Sequence, residues 1–270
     1  MCLIAFAWRA DPRYRLALIA NRDEFHERAA APAGADPIQP HLYGGRDLQA
    51  GGSWLLASTR GRLAAVTNVR AGMVPDAAPR SRGALVRGFA EAADSAEAFV
   101  AGLEATAREY GRFNLLLWDG ESLLFASNHP RFAMQAVPPG VHAMSNGAFD
   151  APWPKAMHAT RALQSWLEAE SPQDRPVEQA MAPLFDALAD TSQAPDALLP
   201  DTGVGLELER TLSPAFVRGA AYGTRCSSVV LAGVDGTLVF AERRYGPEGR
   251  FEGSSIAQLP WPGVQGPRVP

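Results

Sequence analysis

MCLIAFAWRADPRYRLALIANRD, residues 1–23, decides how the rest of the chain is read. Two apolar runs, Leu3 to Arg9 and Leu16 to Asn21, flank a turn at Asp11-Pro12. Short apolar runs bounded by Asp and Pro predict two paired strands. The pairing brings Cys2, where the first strand begins, beside the charged run Asn21-Arg22-Asp23-Glu24 that ends the second.

The hairpin pattern recurs down the chain. Trp54 to Ser58 and Leu63 to Asn68 turn at Arg60-Gly61. Phe113 to Trp118 and Leu123 to Ser127 turn at Asp119-Gly120, and Val229 to Val234 and Thr237 to Glu242 turn at Asp235-Gly236. Asp-Gly between apolar runs is a strong short-range hairpin signal. A polar, Pro-rich loop is expected from Asp23 to about Pro40, and another loop from Ala194 to Thr202. Helices are expected between the hairpins. One covers Arg82 to Glu91. A second starts at Asp94, with Glu97 at capping-box spacing, and runs to about Gly111. Pro154 opens a third, with Met157, Thr160, Leu163 and Leu167 on one face. Val177, Met181, Leu184 and Leu188 mark the inner face of a fourth. Strands apolar on both faces, such as Leu115-Leu116-Leu117, predict sheets covered on both sides. The expected class is therefore α+β, a four-layer αββα sandwich of two antiparallel sheets. Residues 1–258 read as one domain, and 259–270 as a Pro/Gly-rich tail.

Composition narrows the function classes. The chain has 270 residues, 47% of them hydrophobic and 20% charged, with a formal net charge of −4. That balance gives a large core and no basic footprint for nucleic acid. No apolar run reaches the roughly 20 residues of a spanning helix, so no integral membrane association is expected. Arg9, Asp11, Arg13 and Arg15 interrupt the first apolar run, and no basic segment precedes it, unlike a secretory signal. Cys2 and Cys226 are too few for a disulfide framework, so a reducing, cytoplasmic location is expected. The five histidines show no metal-ligand spacing, and no phosphate loop or nucleophile elbow occurs, so neither metal nor cofactor is expected.

Cys2 is the most informative residue. Removal of the initiator Met leaves Cys2 with a free α-amine beside its thiol. An α-amine with a pKa near 7.7–8.0 takes and returns a proton at neutral pH, so one residue supplies nucleophile and base. The plainer reading is the first core residue of a strand. Arg22 suits a thiolate or a substrate carboxylate, and Asp23 suits the α-amine; the plainer reading of both is a solvated turn. Asn68 and Asn146 follow apolar runs, where an amide can donate to a developing oxyanion or simply make a turn. Gly51-Gly52-Ser53 before Trp54 allows close backbone approach to a ligand, and Arg225 is placed to bind an anion or pair with a carboxylate.

These segments together resemble one family. Met1-Cys-Leu-Ile4, Ala20-Asn-Arg-Asp-Glu-Phe25, Gly51-Gly-Ser-Trp-Leu55, Leu63-Ala-Ala-Val-Thr-Asn68, Phe113-Asn-Leu-Leu116, Ser145-Asn146, Pro152-Trp-Pro-Lys155 and Tyr222-Gly-Thr-Arg225 look like the NRDE proteins, the transport-and-Golgi-organisation family. The likeness runs in order from residue 1 to about 242. It implies a fold similar to N-terminal-nucleophile hydrolases, above all the penicillin V acylase and bile-salt hydrolase branch. That branch uses an N-terminal Cys, an Arg and an Asp after the second strand, and oxyanion-site Asn residues. Cys2, Arg22, Asp23, Asn68 and Asn146 are the matching catalytic candidates. Asn21, Gly52, Trp54 and Arg225 are the expected substrate contacts, with Arg218 competing with Arg225 as the late Arg. Two functions stay open on this basis. One is a Cys2-dependent hydrolase of a linear N-acyl amide. The other is a non-catalytic carrier of haem or an acyl lipid such as an acyl-CoA. In both, the partner is a small molecule.

Overall fold

The opening hairpin forms as its sequence predicts: β1 (Cys2–Asp11) pairs antiparallel with β2 (Tyr14–Phe25), Leu3 opposite Asn21 and Cys2 opposite Arg22. The fold is that of a computed structural model describing residues 2–73, 78–169 and 176–262, with Cys2 described by its backbone. β2 also pairs with β11 (Tyr222–Gly233), which pairs with β12 (Thr237–Tyr245), which pairs with β13 (Phe251–Pro260). The other edge of this sheet is β10 (Gly140–Met144), laid antiparallel on β1. The six-stranded order is thus β10-β1-β2-β11-β12-β13. A second, seven-stranded sheet runs in chain order through β3 (Ala30–Ala35), β4 (Leu42–Asp47), β5 (Leu55–Ser58), β6 (Arg62–Asn68), β7 (Phe113–Trp118), β8 (Leu123–Ser127) and β9 (Ala133–Ala136). Every strand pair in both sheets is antiparallel.

Strand alternation sorts the apolar residues into three cores. Ile4, Phe6, Trp8, Leu16, Leu18 and Ala20 point between the sheets, against Leu55, Leu63, Leu116 and Trp118. Leu3, Ala5, Ala7, Ala17 and Ile19 point the other way, under α3 (Pro154–Glu168) and α5 (Ala182–Leu188). Leu56, Ala64, Leu115 and Leu117 back onto α1 (Gly83–Glu91) and α2 (Ala96–Leu103). Each fully buried Leu or Phe contributes about 1.5–3 kcal/mol, so three continuous cores drive the layering. The result is the expected αββα sandwich. No helix among the described residues is long and apolar enough to cross a membrane.

Several local expectations need correction. Residues 30–35 and 42–47, on the stretch read as loop and beyond it, form β3 and β4. AAPAGA has low strand propensity, but β3 lies at a sheet edge, where Pro32 breaks no inner ladder. The α2 cap is Ser95, whose Oγ accepts from the Ala98 N–H, and not Asp94; a 3-10 segment, Glu104–Glu109, then completes the connection. The buried face of α3 carries Lys155, Ala156, Ala159, Leu163, Trp166 and Leu167, while Met157 is exposed. The expected fourth helix is two, α4 (Val177–Ala180) and α5, meeting at Met181 just before Pro183. Within 194–202 a 3-10 turn forms at Asp196–Leu198, and α6 (Leu206–Thr211) follows. The segment assigned to a tail begins inside the fold. β13 runs to Pro260, and Trp261 is buried, stacked 4.9 Å from Trp118. Residues 263–270 lie outside the described residues.

Candidate functional site

One rung of the six-stranded sheet carries most of the candidates. Cys2 stands opposite Arg22, Arg22 opposite Cys226, and Cys226 opposite Arg244. On the other side, β1 and β10 pair as far as Ile4 with Met144. β10 ends at Met144, and Asn146 lies two residues beyond it.

Arg22 is nearly buried, and its guanidinium lies over the Trp54 ring, 4.3 Å from the centroid. Trp54 is seated by Gly45: a Cβ there would come within 2.1 Å of the indole. Arg22 Nη2 is 3.8 Å from Glu24 Oε2, while Nη1 is buried and has no hydrogen-bond partner among the described residues. A buried guanidinium N–H without an acceptor is costly unless something fills the place. Asp23 points to the opposite face. Its Oδ1 accepts from Thr224 Oγ1 at 2.6 Å, and the Thr224 hydroxyl in turn accepts from the Val217 N–H. Burial raises the Asp23 pKa, against the pull of the chain's N-terminal charge, Lys155 and Arg22. Lys155 reaches this layer from the first turn of α3, its Nζ donating to the Leu212 carbonyl.

The two asparagines meet across the sheets. Asn146 is fully buried and gives its side-chain amide to Asn68, donating to the main-chain O at 2.9 Å and to Oδ1 at 2.8 Å. With Oδ1 so engaged, the Asn68 Nδ2 is the amide donor left on the cavity wall. The 145–147 turn is stapled to the second sheet as well. Thr67 Oγ1 donates to the Ser145 carbonyl at 2.5 Å, and Asn114 Nδ2 donates to the carbonyls of Ser145 and Gly147. The Arg70 N–H donates to the Asn146 carbonyl.

A cavity of about 690 Å³ opens beside these groups, lined among others by Arg22, Asp23, Asn68, Trp54, Ser53 and Arg82. Arg28 and Asp47 close part of its rim as an ion pair at 2.6 Å. The other expected contacts fall differently. Asn21 turns away from the cavity: its Nδ2 donates to the carbonyls of Leu188 and Ala215, and its Oδ1 accepts from Ser227. Gly52 serves a close approach, since a Cβ there would lie 2.3 Å from the Gly83 carbonyl carbon at the start of α1. Arg225 occupies a bulge in β11 and donates from Nη1 to the carbonyls of Phe25, His26 and Arg28, fixing the turn after β2. Sequence reasoning missed Asp47, Arg82 and Gly83 on the rim, and Glu242 behind Arg22. A Gly directly before a helical run was the available signal for the α1 start, and an acid in the apolar run Leu238-Val-Phe-Ala-Glu242 was the signal for Glu242.

Comparison with known proteins places the chain. The description "Transport and Golgi organisation 2" matches residues 1–247. Bovine and human Transport and Golgi organization protein 2 homologs are each 33% identical, over 263 and 262 residues, covering 90% of this chain and 92% of theirs. The Drosophila melanogaster protein is 27% identical over 265 residues. Among solved structures, a Caenorhabditis elegans N-acylethanolamine-hydrolyzing acid amidase ortholog has a TM-score of 0.49 at 9% identity, over 86% of this chain and 92% of its own. A conjugated bile acid hydrolase from Clostridium perfringens has a TM-score of 0.46 at 10% identity, over 96% of this chain and 92% of its own. With a family match over nearly the whole length and one-third identity to curated members, the chain belongs to the Transport and Golgi organisation 2 family.

Proposed function

We propose that the protein is a Cys2-dependent hydrolase of a linear N-acyl amide, acting in a reducing compartment on a small-molecule substrate held in the 690 Å³ cavity. The observation that carries this reading is the ladder position of Cys2, opposite Arg22 where the strand begins, with Arg22 and Asn68 on the wall of that cavity. Arg22 has a buried N–H without a partner among the described residues, as a group held ready for an anion would. In the mechanism, processing first exposes the Cys2 α-amine. Sγ attacks the carbonyl carbon while that amine takes the thiol proton, and the amine then hands the proton to the leaving nitrogen. Arg22 favours the thiolate. Asp23 faces the ammonium form. Asn68 Nδ2 donates to the oxyanion and Asn146 orients it; a donor of this kind is worth about 3 kcal/mol. Water then adds to the thioester carbonyl and releases the acid and the thiol.

The experiment joins intact mass with turnover. Protein from its native host should lack Met1, and a panel of N-acyl amides should be cleaved by wild type and not by Cys2→Ala. Turnover that survives Cys2→Ala defeats the mechanism. No turnover across the panel, with haem or acyl-CoA binding that ignores Cys2→Ala, favours the carrier reading instead.

A further inference from the structure

Arg22 and Trp54 also wall a second, smaller cavity of about 180 Å³ between the sheets. Its far side is β12, and the residue at its base is Glu242, only 1% exposed. Glu242 Oε1 accepts the Ala33 N–H at 2.8 Å and the Cys226 thiol hydrogen-bonds the same carboxyl, while Oε2 has no N–H or O–H partner among the described residues. The charged and titratable groups around this carboxyl come from β12, β11, β2, β4 and β13, while β3 supplies none. They are Arg244 and Tyr245 of β12, Arg225 and the thiol of Cys226 from β11, Arg22 of β2, Tyr43 of β4 and Glu252 of β13. Arg244 Nη1 stops 3.9 Å from Glu242 Oε1, and Glu252 is already paired with Arg250 at 2.9 Å.

These facts restrict what fits. An apolar group would leave a deeply buried carboxyl oxygen unsatisfied. An ammonium would meet the guanidiniums of Arg22, Arg225 and Arg244. A carboxylate is drawn by those guanidiniums and can accept a hydrogen bond from a neutral carboxyl. We propose that this cavity binds a small carboxylate, held between the guanidinium of Arg244 and the protonated carboxyl of Glu242, which donates to it. Burial, which raises the Glu242 pKa, favours the protonated form the arrangement needs. The volume is below that of sites for drug-sized ligands, so the occupant is a free short acid or the carboxylate end of a longer molecule.

Isothermal titration with acetate, propionate and N-acetylglycine, at pH 6 and pH 8 and in two buffers of different ionisation heat, tests the proposal. Acetate and propionate report the free acid, and N-acetylglycine the carboxylate end of a longer molecule. Saturable binding should be tighter at pH 6 and accompanied by proton uptake, with acetamide failing to bind. Glu242→Gln, whose amide still donates, should bind equally at both pH values with no proton uptake. Arg244→Met should weaken binding at least tenfold; Arg244 is part-exposed, so this variant decides the matter if Glu242→Gln does not fold. Cys2→Ala should bind as wild type does, which separates this proposal from the fate of the hydrolase reading. Absence of saturable binding by wild type at pH 6, or wild-type affinity in Arg244→Met, overturns it.

Discussion

Replacing Asn146 by Ala should be among the most damaging single changes near the site, and its cost follows from two hydrogen bonds. The Asn146 amide gives both its N–H groups to Asn68, to the main-chain O at 2.9 Å and to Oδ1 at 2.8 Å, with no exposure to water. Each made bond is worth about 1 kcal/mol net, and a buried acceptor left without a donor costs about 1–3 kcal/mol. The side-chain oxygen of Asn68 can rotate to recover a partner, but its main-chain oxygen cannot. The expected loss is therefore about 2–4 kcal/mol. Asn68→Ala keeps the main-chain acceptor paired but leaves one N–H of the fully buried Asn146 without an acceptor, so about 1–3 kcal/mol is expected. Urea unfolding of both single variants and the double variant gives the cycle, with a coupling near 1 kcal/mol for the Oδ1 bond. If Asn146→Ala lies within 0.5 kcal/mol of wild type, the account of this bridge is wrong.

Gly45→Ala should lose about 1–3 kcal/mol, the usual range for overpacking, because the new methyl would overlap the Trp54 ring at 2.1 Å. A shifted tryptophan emission should accompany the loss, and unchanged emission with wild-type stability would show that Gly45 does not seat Trp54. Glu242→Gln should alter how stability depends on pH. The folded Glu242 pKa lies above the unfolded value of about 4.3, so its protonation favours the fold fully below that value, and the benefit fades as pH rises through the folded pKa. The stability of wild type relative to Glu242→Gln should thus fall as pH rises above about 4.3; a constant difference in parallel unfolding curves would mean that Glu242 titrates alike in both states.

The hairpins were legible because Asp-Gly turns and unbroken apolar runs act locally, as with β7 and β8 across Asp119-Gly120. The sandwich followed from strands apolar on both faces. β3 was not legible, since Ala30–Ala35 is a strand only through its neighbour β4 and carries no pattern of its own. The buried face of α3 was misjudged because Lys155 is buried, its ammonium bound to a carbonyl, and no periodicity argument anticipates an inward lysine. Within the candidate site, the pairing of Cys2 with Arg22 was readable from the first hairpin. The inward turn of Asn21 toward Leu188 and Ala215 was not, because its acceptors lie more than 160 residues away in the chain. Glu242 was hidden for the same reason, its N–H partner Ala33 lying 209 positions earlier.

The place of β1 inside its sheet has a consequence for how the protein is made. β1 is enclosed by β2 on one side and β10 on the other. Its outer neighbour is built from residues 140–144, and β2 gains its second neighbour only with residues 222–233. Contacts so distant in sequence carry a high loop-closure cost and form slowly. The start of β1 is therefore among the last parts of its sheet to gain both neighbours, and a chain stalled before residue 140 leaves one edge of β1 open.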